Sequence, residues 1–181
     1  MVKEIYDAAS EWYESMYIDG DDNKYMKDEK DASEFWKKNK KSLVMPKIVS
    51  LGVGSGQDIS ILGYPSSTYF TGYDISPGML KNARIKFPDY TFIEHDCNTI
   101  INTKADVLVS MFGTPNYIGI NGLLMHYIIM ECRHAFFIFY NENYNDGLVE
   151  NYTRYSYEHL QSCFWNATVT KLNDNYNIVN W

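Results

Sequence analysis

Three glycines on alternate positions, Gly52, Gly54 and Gly56, follow the apolar run Ile48-Val-Ser-Leu51. Such a turn can hold a ligand against bare backbone, because glycine takes positive φ at no steric cost and puts no Cβ in the way. The amides beyond it open a helix, whose N-terminal N–H groups and dipole favour a polar or anionic group. The spacing excludes two phosphate loops. G-x-G-x-x-G requires glycine where the chain has Gln57 or Ile59, and G-x-x-x-x-G-K-S/T requires a lysine that does not follow Gly56. Two acids stand at the ends of later strands. Asp74 closes Tyr69-Phe-Thr-Gly-Tyr73, about 20 residues past the turn, the place where βαβ units bind ribose hydroxyls. A carboxylate can accept from both hydroxyls at once. The competing role is a helix cap, but Ser76 followed by Pro77 already supplies an N-cap and a first helical residue, which leaves Asp74 for a ligand. Asp96 closes Thr91-Phe-Ile-Glu-His95, with a turn-forming aspartate as the plainer reading.

A strand followed by G-x-G-x-G resembles the nucleoside-binding loop of the class I S-adenosylmethionine-dependent methyltransferases. That family usually carries an acid two residues before the first glycine, and here the place is taken by Ser50. Tyr73-Asp-Ile-Ser-Pro-Gly-Met-Leu80 is similar to the second motif of its small-molecule members. The resemblance implies S-adenosylmethionine as cofactor, with Gly52, Gly54 and Gly56 against it, Asp74 on the ribose and Ile75 on the adenine. It further implies that Asp96 accepts from the adenine amino group, that the Cys97 N–H donates to a ring nitrogen, and that Ser110 belongs to the cofactor set. Phe112-Gly-Thr-Pro-Asn-Tyr117 looks like the Phe-Gly loop that lines the cofactor and substrate clefts, and matches poorly the base-gripping Asn-Pro-Pro-Tyr motif.

These residues need a scaffold of alternating strands and helices. Apolar runs at Ile48–Leu51, Val107–Met111 and Ala135–Tyr140 read as buried strands, and Ala167–Leu172 with Tyr176–Trp181 as a terminal hairpin. Leu123, Leu124, Tyr127 and Ile128 make an apolar helix, and Ser156-Tyr-Glu-His-Leu160 begins another. The order predicts an α/β fold: a doubly wound, seven-stranded, mostly parallel sheet with a C-terminal antiparallel hairpin. Ile5, Ala8, Ala9, Trp12, Tyr13, Met16 and Tyr17 recur at helical spacing and predict one amphipathic helix, ended by the turn Asp19–Asn23; Ala32, Phe35 and Trp36 mark a second. We expect one domain over 1–181, with 1–43 a helical lid or cover and 44–181 the cofactor-binding core. Tyr13 is the expected lid contact, its hydroxyl reaching a polar cofactor or substrate group while its ring stays packed. The asparagine-rich loop from Asn141 is expected to project over the strand ends.

With 181 residues and a net charge of −7, the chain suits one α/β domain and argues against a broad nucleic-acid surface, which needs Lys and Arg to neutralise phosphates. A small-molecule methyl acceptor fits better. No apolar stretch approaches a membrane span, so the expected location is cytoplasmic. Cys97, Cys132 and Cys163 have no metal-ligand spacing and read as reduced structural thiols. No catalytic group is assigned: His95, His126, His134 and His159 are bases by type only. The expected function is methyl transfer from S-adenosylmethionine to a small molecule. The alternatives are a protein that binds or senses that cofactor without transfer, motivated by Ser50, and transfer to protein or RNA, disfavoured by size and acidity.

Overall fold

The computed structural model describes residues 2–17, 23–145 and 152–181. Most of the turn expected at 19–23, and residues 146–151 of the asparagine-rich loop, lie outside the described residues. Seven strands form one sheet: β1 Ile48–Leu51, β2 Phe70–Asp74, β3 Thr91–Glu94, β4 Val107–Ser110, β5 His134–Tyr140, β6 Thr168–Lys171 and β7 Tyr176–Asn180. Their order is β3-β2-β1-β4-β5-β7-β6. The pairs β2–β3, β1–β4 and β4–β5 are parallel, whereas β5–β7 and β6–β7 are antiparallel. The expected doubly wound sheet with a terminal antiparallel hairpin is therefore present. Helices α1 Val2–Ala9, α2 Lys24–Asn39, α3 Gln57–Ile61, α4 Pro77–Lys86, α5 Thr114–Ile129 and α6 Tyr157–Cys163 complete it.

The chain forms two compact units, one of residues up to Met45 with Gly52–Asp96, the other of Pro46–Leu51 with Cys97–Trp181. In the second unit β1, β4 and β5 are buried along their whole length. Parallel strands covered on both faces lose the usual alternation, which is why they read as continuous apolar runs. Phe136, Phe137 and Phe139 are fully buried in β5, each contributing on the order of 2 kcal/mol of hydrophobic stabilisation. In the first unit Trp36 of α2 is buried and its Nε1–H donates to the Leu62 carbonyl (3.2 Å) at the end of α3.

Local chemistry decides where several helices begin. Ser76 accepts from the Met79 N–H, Ser156 from the His159 N–H, and Asn23 from the Tyr25 and Met26 N–H groups. Each satisfies amides that a helix leaves without partners. The N-terminal segment departs from the single helix expected over Ile5–Tyr17. It stops at Ala9 and resumes as a 3-10 turn over Tyr13–Tyr17. The Ser10 hydroxyl donates to the Asp7 carbonyl (2.7 Å), a local bond that competes with the helix ladder. The Trp12 N–H then bonds the Ala9 carbonyl three residues back, the 3-10 pattern. The segment after β4 departs in the other direction. Phe112 and Gly113 have positive φ (48° and 95°), and Pro115 lies in the first turn of α5, so Thr114–Tyr117 is helical rather than loop. Gly119 (φ 75°, ψ 163°) breaks α5 into two helical pieces.

Candidate functional site

In the first unit the turn after β1 folds back onto the end of β2. The Gly52 and Val53 N–H groups both donate to the Tyr73 carbonyl (2.7 and 2.9 Å). Gly52, Gly54 and Gly56 all take positive φ (73°, 55° and 97°). At Gly56 a Cβ would also lie 2.7 Å from the Phe87 ring, so both conformation and space demand glycine. The helix that follows, α3, is a single short turn and a half, buried at Asp58, Ile59 and Ile61.

Asp74 is buried at 8% exposure. Contrary to the expectation from sequence, the Ser76 cap does not leave its carboxylate free: Oδ2 accepts from the Gly54 N–H (2.8 Å) and Oδ1 from the Ser76 N–H (2.9 Å). It clasps the glycine turn to the start of α4. An ionised carboxylate offers about four acceptor sites, so beyond these N–H groups it can still accept from a ligand. Burial pushes the Asp74 carboxyl up from its ordinary value, the Ser76, Gly54 and Ile75 N–H groups pull it back, and the nearby Asp7 charge adds a smaller upward push. Ile75 is half-buried between Asp74 and the cap. Asp96 is exposed just beyond β3, and the His95 N–H donates to the Asp74 carbonyl (2.9 Å). The glycine turn, Asp74 and Asp96 thus belong to one unit.

Tyr13, half-buried, sits in the 3-10 turn next to Glu14. Glu14 pairs with Lys86, whose Nζ also donates to the Ser55 hydroxyl in the glycine turn (3.5 Å), while Ser55 donates to Gln57 (2.9 Å). Glu29 of α2 lies in the same field. Burial pushes its carboxyl up to about 7, against the pull of Lys86 and with the help of Asp58 and Glu14.

In the second unit Cys97 is buried, and Ser110, with no exposure at all, donates to the Leu51 carbonyl (2.8 Å), tying the end of β4 to the end of β1. Sequence reasoning missed Asn116. Its amide donates to the Tyr140 and Thr153 carbonyls (3.0 and 2.6 Å) and accepts from the Tyr140 N–H (2.9 Å), fastening the end of β5 to the first turn of α5. Around it stand Tyr140, stacked on Tyr144 at 3.6 Å, with Tyr152, Tyr176 and Phe112 at ring-contact distance in the same group. Tyr140, Tyr144 and Tyr176 are buried in this aromatic cluster. His126, His134 and His159 make structural contacts: ring nitrogens of the first two bond the Gly122 and Trp181 carbonyls, and His159 stacks on Tyr155.

Among the described residues no group of three His, Cys, Asp or Glu could hold a metal ion, and no helix is long and apolar enough to cross a membrane. Burial, then Asp106, pushes the Cys132 thiol up to about 12. Native Cys132 should therefore react with iodoacetamide at pH 8 on the order of a hundredfold or more slower than in the unfolded chain, measured by peptide mass spectrometry, since the thiolate is the reactive form.

No family model and no curated protein matches the sequence. Solved structures do. The magnesium protoporphyrin IX methyltransferase ChlM from Synechocystis, with bound S-adenosylhomocysteine (SAH), matches with a TM-score of 0.71 at 15% identity over 99% of this chain and 96% of that one. The DhpI complex with S-adenosylmethionine (SAM) and HEP matches at 0.69 and 12% identity, over 98% and 94%. A complex of the Haloferax volcanii Trm112 methyltransferase activator with a methyltransferase matches at 0.70 and 18% identity, over 94% and 78%. With its 3-2-1-4-5-7-6 sheet, this chain has the fold of the class I, Rossmann-like S-adenosylmethionine-dependent methyltransferases.

Proposed function

We propose that this protein is an S-adenosylmethionine-dependent methyltransferase acting on a small-molecule acceptor. The observation that carries the reading is Asp74: a buried carboxylate at the end of β2, oriented by two backbone N–H groups, one of them from the glycine turn. Its unused lone pairs suit the paired ribose hydroxyls of a nucleoside. In this reading Gly52, Gly54 and Gly56 pass under the cofactor, Ile75 packs on the adenine and Asp96 takes the adenine amino group. Cys97 and Ser110 stay in the set on the sequence resemblance, and Tyr13 as the expected contact of the N-terminal segment. Bound S-adenosylmethionine supplies a methyl group already activated by the sulfonium. The chain's own task is to hold the pair in line and exclude water, which can account for several kcal/mol of the barrier.

A small acceptor is supported by the net charge of −7, which disfavours a broad phosphate-binding surface. ChlM and DhpI are solved with the cofactor product or the cofactor itself. The second reading, binding without transfer, is favoured by the fully buried Ser50 at the position where the family usually has an acid.

Titration calorimetry is expected to give tighter binding of S-adenosylmethionine and SAH than of NAD or ATP. Tighter NAD binding would sink the nucleoside reading. A labelled-methyl screen over metabolite, protein and RNA pools then identifies the acceptor, with label expected in the metabolite pool. Cofactor binding with label in none of the pools would favour the non-transferring protein.

A further inference from the structure

Helix α1 reaches the candidate site through one carboxylate. Asp7 Oδ1 accepts from the Ser76 hydroxyl (2.5 Å) and from the Gly78 N–H (3.1 Å). It thereby sits on an amide that α4 leaves without a helical partner, the Gly78 N–H, at the end whose dipole favours an anion. Ser76 is the bridge. Its N–H donates to Asp74 Oδ1, its O–H donates to Asp7, and its Oγ accepts from the Met79 N–H. The residue that orients one face of Asp74 is thus itself held by a side chain from the N-terminal helix, 69 positions away in sequence. The docking is close. A Cβ on Gly78 would lie 2.4 Å from Ser10 Oγ and 3.0 Å from Ser10 Cβ, and Asn82 donates to the Ser10 carbonyl (2.7 Å).

We infer that Asp7 is a positioning residue for Asp74, so that docking of α1 on α4 and binding of the cofactor's ribose are thermodynamically coupled. This rests on the proposed function, which puts Asp74 on the ribose. It goes further in giving the N-terminal helix a part in cofactor affinity, where a simple lid would act on transfer alone. The direction follows from geometry. Without Asp7 the Ser76 hydroxyl and the Gly78 amide lose their shared acceptor, and the turn that carries the Ser76 N–H is held from one side only. Asp74 then has more orientations to lose when a ligand binds, and affinity falls. By linkage, whatever factor α1 docking contributes to cofactor binding, the cofactor returns to α1 docking.

The test uses the full chain with SAH as the probe. Wild-type binding is measured first by calorimetry; if SAH does not bind, it is the proposed function that fails. Given binding, Asp7→Ala should weaken it by about fivefold or more, within the range usual for coupled sites. Asp7→Asn, which keeps an acceptor oxygen, should recover a part. Gly78→Leu forces α1 off by bulk while favouring helix at its own position, and should weaken SAH as Asp7→Ala does. Hydrogen exchange of the wild type needs no variant: SAH should slow exchange in α1, residues 2–9, by a similar factor, which a merely structural Asp7 would not produce. SAH affinities within twofold of wild type in folded Asp7→Ala and Gly78→Leu, or unchanged exchange in 2–9 at saturating SAH, would overturn the coupling. If neither variant folds, the exchange measurement decides.

Discussion

Asp74→Ala is expected to weaken SAH binding by about 30-fold or more, the equivalent of about 2 kcal/mol, because charge-assisted bonds to buried hydroxyls are among the strong ones. The same substitution should lower the melting temperature of the ligand-free protein. Its Oδ2 and Oδ1 are the acceptors of the Gly54 and Ser76 N–H groups, and an abandoned buried donor costs about 1–3 kcal/mol. Asn is not a neutral replacement here. Its one oxygen can serve one of the two amides, while its NH2 faces the other, donor against donor. Asp74→Asn should therefore regain part of the stability and less of the affinity. Calorimetry and thermal melting on both variants separate the roles: a lowered melting temperature with unchanged affinity would leave Asp74 a clasp of the fold and remove it from the ligand site.

What could be read from sequence was what leaves a local trace. The strands β1, β4 and β5 are apolar runs because both faces are covered. The Ser76-Pro77 start of α4 is visible because capping and the first helical residue are adjacent in the chain. The Gly-rich turn announces positive φ directly. Asp74 was identified by its strand-end position, but its two amide donors were not, since Gly54 lies 20 residues away. Longer-range placements left no pattern at all. Asp7 looks like any polar residue between the apolar positions of a helix, and only the fold brings it to Ser76. Asn116 resembled part of a poor nucleic-acid motif, whereas its side chain is consumed by the backbone of Tyr140 and Thr153. Helix periodicity also misled at Trp12–Tyr17, where the apolar spacing continues but a Ser10 side-chain bond and a 3-10 turn replace the α-helix.

Glu29→Gln is expected to stabilise the protein at pH 8 and to make little difference at pH 4. Glu29 is on α2, with Glu14 of the 3-10 turn, Asp58 of α3 and Lys86 of α4 around it, and its Oε1 is buried with no hydrogen-bond partner among the described residues. Burial is the main reason its carboxyl is pushed up to about 7; Lys86 opposes this, and Asp58 and Glu14 add to it. The sign follows from proton binding. Between roughly pH 4.5 and 7 the native state holds a proton that the unfolded chain has already released, so stability falls as pH rises. The contribution is fully present below the unfolded value and lost as pH passes through about 7. Its full span is about 3 kcal/mol at most, a shift of several degrees in melting temperature. Glutamine keeps the shape and never ionises, so the difference in melting temperature between Glu29→Gln and wild type should open between pH 5 and 8. Other groups titrate in that window in both proteins and cancel in the difference. A difference that stays flat across it would mean that Lys86 alone compensates the ionised Glu29, and that the cluster beside Ser55 holds its charge at neutral pH.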